Sequence, residues 1–161
     1  MDALPGLGKS EVGALIENFM AVGGLAGVAI PPEAVAVEML PAPHRSPSVL
    51  PAGKMAVYIF QWGGQCLKIG KVGPKSQARY TSHHYSPGSS NSNLARCILK
   101  ECASLGISGL STDNVGAWIK ENTDRINILL DDRLGIPVLS MLEAFLHCRL
   151  KPRFEGFESQ K

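Results

Sequence analysis

Residues 55–70 read Met55-Ala56-Val57-Tyr58-Ile59-Phe60-Gln61-Trp62-Gly63-Gly64-Gln65-Cys66-Leu67-Lys68-Ile69-Gly70. Two runs with aliphatic residues at every second position flank a Gly-Gly pair, which is the pattern of a β-hairpin. The side chains also speak to register. A two-residue Gly63-Gly64 turn with unbroken pairing puts Tyr58 opposite Ile69 and Ile59 opposite Lys68, mixing polar and aliphatic residues on both faces. A three-residue loop, Trp62-Gly63-Gly64, pairs Val57 with Ile69 and Ile59 with Leu67, so that one face is wholly aliphatic. Its other face sets Tyr58 opposite Lys68 and Phe60 opposite Cys66. A one-residue slip exchanges the faces, so this segregation favours the three-residue loop, with Gly64 at the positive φ of a bulge. A phenol and an ammonium then stand side by side on one face.

On the N-terminal side of the hairpin, prolines at 41, 43, 47 and 51 mark a linker. We therefore expect residues 1–53 to form an N-terminal helical appendage with a Pro-rich linker, and residues 54–161 to form the main domain. In the appendage, Val12, Leu15, Ile16, Phe19 and Met20 have the spacing of an amphipathic helix over 10–22, with Ser10 as N-cap and Gly23-Gly24 as stop. Residues 33–40 fit a short helix or a strand equally well. On the C-terminal side, the pattern predicts helices over about 76–85, 93–105, 113–121 and 137–150 and a strand over 125–130, with a polar loop over 86–93. The order hairpin, helices, strand, helix is that of an α+β domain with a small three-stranded antiparallel sheet flanked by helices.

The chain has 161 residues, 45% of them apolar and 19% charged, as in a packed globular protein rather than a disordered one. The longest uncharged apolar stretch, Asn18 to Pro32, is broken by three glycines and two prolines. It falls short of the ~20 residues that a membrane span needs. No basic segment precedes it, as a secretory signal requires. Cysteines 66, 97, 102 and 148 show no paired spacing. These features lead us to expect a cytoplasmic protein with reduced thiols and no membrane association. The net charge of +2 hides an asymmetry: residues 54–100 carry seven Lys and Arg and no Asp or Glu. A surface of that kind suits a phosphate backbone, although counter-charges from elsewhere in the fold would make it an ordinary solvated face.

Taken singly, the candidate functional residues have plain structural explanations. Glu143 lies with Ser140, His147 and Lys151 on a polar helix stripe. Tyr58 and Lys68 fit a cross-strand pair, and Arg79 with His83 a solvated helix face. His83-His84 lacks metal-ligand companions, and no CxxC pair is present. Gly70-x-x-Gly73 lacks the ending of a P-loop.

Taken together and in order, these residues resemble the GIY-YIG endonucleases. Ala56-Val57-Tyr58 stands where the family has its first motif, with alanine for glycine. Lys68-Ile69-Gly70 stands for the second, with lysine for tyrosine, a replacement that also occurs in some restriction-enzyme and phage-type members. Arg79 matches the family's helix arginine, His83 a histidine one turn on, and Glu143 the glutamate of the last helix, followed by Leu150-Lys151-Pro152. The family's terminal asparagine falls near Glu155 and is replaced. The resemblance covers about 54–157.

It implies a divalent-metal-dependent DNA endonuclease of a restriction, defence, repair or mobile-element system, or a nucleic-acid-binding module that has kept the fold without the catalysis. Under the first reading Glu143 holds Mg²⁺ or Mn²⁺, and Tyr58 is general base or water-orienting group, assisted by Lys68. Arg79 stabilises the phosphate charge, and His83 assists in phosphate binding or proton transfer. Lys71, Lys75, His84, Arg96 and Lys100 are then expected to face DNA. Cutting both strands requires a homodimer or two successive nicks.

Overall fold

The computed structural model describes residues 6–154. Its elements are α1 (Lys9–Leu25), β1 (Val35–Leu40), β2 (Lys54–Trp62), β3 (Gln65–Val72), α2 (Gln77–Thr81), α3 (Leu94–Glu101), α4 (Val115–Asn122), β4 (Asp124–Asp131) and α5 (Ile136–Leu150). The four strands form one antiparallel sheet in the order β1-β4-β2-β3. The α+β class is as expected, but the sheet has a fourth strand. It comes from the segment expected in the helical appendage: all six residues of β1 pair with β4, from Val35 opposite Leu130 to Leu40 opposite Arg125. The sheet therefore crosses the boundary expected at residue 53.

Alternation along the strands sends side chains into two cores. On one face Val57, Ile59, Ile69, Ile126, Ile128 and Leu130 pack with Val12, Leu15 and Phe19 of α1 and Leu139, Leu142 and Leu146 of α5. On the other, Tyr58, Phe60, Leu67 and Val72 pack with Tyr80, Leu94, Ile98, Val115 and Ile119. α1 runs through the expected stop to Leu25; Gly23 is pressed against Ile30, leaving no room for a side chain, and the chain turns at Gly27, whose φ is +77°. α5 starts with Pro137 in its first turn and ends at Lys151, before Pro152, as the sequence indicates. No helix among the described residues is long and apolar enough to cross a membrane.

The hairpin corrects the expected register. Gly63 and Gly64 both have positive φ, +56° and +77°, and make a two-residue turn closed by Trp62 opposite Gln65. A bulge then shifts the pairing between Phe60 and Gln61, leaving Leu67 as the extra residue. Beyond it Phe60 faces Lys68, Ile59 faces Ile69, Tyr58 faces Gly70 and Val57 faces Lys71. The shift from the expected pairing is two residues, so Tyr58, Phe60 and Lys68 still share one face and Val57, Ile59 and Ile69 the other, but the bulge moves Leu67 to the Tyr58 face and leaves Cys66 against the opposite core. The partner of Tyr58 is Gly70, with Lys68 on the diagonal.

Since β1 covers the β4 edge and α1 covers one core, residues 54–161 alone are expected not to fold. Urea unfolding followed by circular dichroism should show a cooperative transition for the full chain and none for that fragment.

Candidate active site

β3 is an edge strand, and Gly70 is where Tyr58 reaches it. A Cβ at Gly70 would collide first with the Tyr58 hydroxyl and then with Cζ. The absence of a side chain therefore lets the phenol of the inner strand lie against the outer one. The Tyr58 ring is 2% exposed. It packs on the His84 ring at 4.3 Å between centroids and edge-on to Phe60 at 5.8 Å. Burial pushes the phenol above its ordinary pKa of 10, the nearby Arg79 charge opposes this, and the Glu143 charge adds to it. Tyr58 is thus a neutral phenol at physiological pH. This runs against the expectation that Lys68 would activate it, because desolvation outweighs the cations around it.

Lys68 is also buried, at 4% exposure. Burial holds its ammonium below the ordinary lysine pKa, and Arg79 adds to that effect, while Cys97 and Glu143 oppose it. Arg79 and Glu143 therefore act on both Tyr58 and Lys68, and the four residues share one electrostatic neighbourhood. They arrive from four elements: Tyr58 from β2, Lys68 from β3, Arg79 from α2 and Glu143 from α5. Arg79 is exposed and forms no ion pair among the described residues.

Glu143 comes from the opposite side of the sheet. Its carboxylate accepts from Lys71 Nζ at 2.9 Å, and the same ammonium donates to Ser140 Oγ at 3.1 Å. Lys71 is thus held by two partners on α5. The described residues contain no cluster of three His, Cys, Asp or Glu side chains suited to a metal. Glu143 offers one carboxylate. That donor set fits a hard cation that keeps most of its waters and takes further oxygens from a phosphate.

The expected helix over 76–85 breaks into α2 and a 3₁₀ turn, His83–Tyr85. His83 remains half-exposed, and its carbonyl accepts from Ser89 Oγ at 2.7 Å. His84 is 3% exposed, so it is no DNA contact on the surface. Its Nδ1 accepts from the Leu94 N–H at 3.4 Å, which leaves the proton on Nε2, a buried donor without a partner. Burial first, then the charges of Arg125, Lys68, Arg79 and His83, hold His84 well below the ordinary histidine pKa of 6.5. Lys75, Arg96 and Lys100 are exposed, Lys75 after β3 and the other two on α3, where Arg96 also donates to Asn91 Oδ1 at 3.1 Å. The position matching the family's asparagine, near Glu155, lies outside the described residues.

The sequence reading missed Arg125 and Asn127. Arg125 lies fully buried beneath the site, 5.9 Å from the Tyr58 ring centroid. All four cysteines are free. Comparison with known proteins finds no matching family model, no similar curated protein and no similar solved structure.

Two outcomes follow from this geometry. Gly70→Ala should destabilise the fold by about 1–3 kcal/mol through overpacking. Tyr58→Phe, which removes the first atom struck, should recover part of that loss, so the two changes are non-additive in urea unfolding. The second outcome concerns pH. The buried His84 and His44 both titrate below 6.5 when folded and near 6.5 when unfolded. The unfolded chain then binds more protons as pH falls through 6.5, so stability present above that pH is lost below it, by up to about 1.4 kcal/mol per pH unit for each group. Urea midpoints measured at pH 7, 6 and 5 should fall, and His84→Gln should flatten part of the decline.

Proposed function

We propose that this protein is a divalent-metal-dependent DNA endonuclease of the GIY-YIG type. The observation that carries this reading is that Tyr58 lies against Gly70 at the sheet edge, with Lys68 on the diagonal, and that the charges of Arg79 and Glu143, far apart in sequence, both bear on these two groups. Their order in the chain is that of the family's motifs. The division of labour follows from their surroundings. Arg79, exposed and free of an ion pair among the described residues, binds a non-bridging phosphate oxygen and stabilises the charge that develops there. Tyr58 keeps its proton and orients the attacking water through its hydroxyl. Lys68 lies on the diagonal from Tyr58 and assists it with its positive charge, and the proton that the water gives up passes to bulk solvent. Glu143 would hold Mg²⁺ or Mn²⁺, which when bound neutralises phosphate charge. Lys71, released from Glu143, turns to the DNA backbone. His83, Lys75, Arg96 and Lys100 supply further phosphate contacts.

A second reading is a nucleic-acid-binding module of the same fold without catalysis. The Lys71–Glu143 ion pair favours it, since an ammonium already compensates the one carboxylate of the site.

Plasmid cleavage with Mg²⁺ or Mn²⁺ separates the two. The wild type should give nicked or linear product, Arg79→Ala should slow it about 10²–10³-fold, and Tyr58→Phe and Glu143→Ala should abolish it. Salt-sensitive DNA binding with no cleavage of plasmid, single-stranded or branched DNA by the folded wild type establishes the binding module instead.

A further inference from the structure

Arg125 is among the largest fully buried side chains of the described residues, at 0% exposure, and it forms no ion pair among them. Taking a guanidinium out of water is costly unless every donor finds a partner, and an apolar residue at the same place is often as good for stability. Here the partners are specific. Nε donates to Asn127 Oδ1 at 2.9 Å, one Nη to the Tyr85 hydroxyl at 3.2 Å and the other to the Tyr80 carbonyl at 2.7 Å. The guanidinium also lies 5.2 to 6.0 Å from the ring centroids of Phe60, Tyr80, Tyr58 and Tyr85. All three tyrosines of the chain therefore meet at this one cation.

What these contacts hold is the candidate active site. The Tyr80 carbonyl belongs to α2, one residue beyond Arg79, and α2 is only five residues long. A helix that short has little stability of its own, so its position depends on what grips it. Tyr85 closes the following 3₁₀ turn, whose His84 packs on the Tyr58 ring. Arg125 thus grips both ends of the segment that carries Arg79 and His84, while its charge lies beside Tyr58.

We propose that Arg125 is a positioning residue: by forking between the Tyr80 carbonyl and the Tyr85 hydroxyl beneath the Tyr58 ring, it sets Arg79 and Tyr58 at the spacing that the reaction needs. The proposal rests on the endonuclease reading. Arg125 touches no substrate and acts through these groups.

The test uses the full chain with Arg125→Lys, which keeps the charge and loses the fork, and Tyr85→Phe, which keeps Arg125 and removes one acceptor. Displacement of a reacting group by about 1 Å costs about 10²-fold. Arg125→Lys should therefore lower kcat for plasmid cleavage by about that factor, with DNA affinity within about twofold of wild type because Arg125 is not at the surface. Tyr85→Phe should give a smaller loss in kcat alone. A folded Arg125→Lys that cleaves at the wild-type rate, or that loses affinity with kcat intact, overturns the proposal. If Arg125→Lys does not fold, Tyr85→Phe decides by the same criterion. If the wild type cleaves no DNA, the endonuclease reading fails separately. The NMR cross-peak between the Tyr58 and His84 rings then decides: present in wild type and lost in both variants, it supports positioning; unchanged, it rules positioning out.

Discussion

A guanidinium without water must find fixed dipoles to replace it, and that requirement on Arg125 organises the side of the sheet that bears Tyr58. Its Nη donates to the Tyr85 hydroxyl, which donates in turn to His44 Nε2 at 2.9 Å, while His44 Nδ1 donates to the Thr123 carbonyl at 2.9 Å. The direction of donation is fixed at both ends, because guanidinium can only give and a carbonyl can only accept. Neutral His44 is the form that fits between them, in keeping with a pKa lowered chiefly by burial. On the other side Nε donates to Asn127, whose amide donates to Glu38 Oε2 at 2.7 Å, where the Tyr80 hydroxyl also donates at 2.8 Å. One buried cation thereby ties β4, β1, the linker and the short helices into one hydrogen-bonded body.

The same neighbourhood is short of negative charge. Lys68, Lys71 and Arg79 lie around Tyr58 or Glu143, and among them Glu143 pairs directly with Lys71 alone. The Lys71–Glu143 pair is 39% and 25% exposed, and pairs of that kind contribute at most about 1 kcal/mol to stability. It is therefore weak as a structural tie and easily exchanged.

The parts of this arrangement that were legible in the sequence are those set by local periodicity. Alternation puts Tyr58 and Lys68 on one face, as found, but it puts Leu67 on the other, and the bulge turns Leu67 to the Tyr58 side. Alternation did not fix the pairing, because registers two residues apart present identical faces, and here a two-residue turn plus a bulge at Leu67 replaces the three-residue loop. Glu143 and Arg79 enter through their order and spacing, which carry the family resemblance, and not through periodicity. Arg125 and Asn127 were not legible, because polar residues alternating with Ile126 and Ile128 read as a solvated strand face. What buries them is a helical segment some forty residues earlier in the chain, at Tyr80 and Tyr85. His84 was misplaced for a related reason: the break of α2 at Ser82 turns it inward, and helical periodicity carries no sign of that break.

The N-terminal segment illustrates how such long-range burial changes the meaning of a domain boundary. Four prolines mark a linker on composition, and prolines do lie there. Yet the segment before them supplies β1, and β1 supplies Glu38, the carboxylate that answers the Arg125 network through Asn127 and Tyr80. His44 in the linker closes the other arm of that network at Tyr85. Without these residues the guanidinium would lose its negative counterpart while staying in an apolar layer, and an uncompensated buried charge is among the costliest defects a fold can carry. The Pro-rich stretch therefore connects two parts of one electrostatic unit, and the geometry around Tyr58 depends on residues on both sides of it.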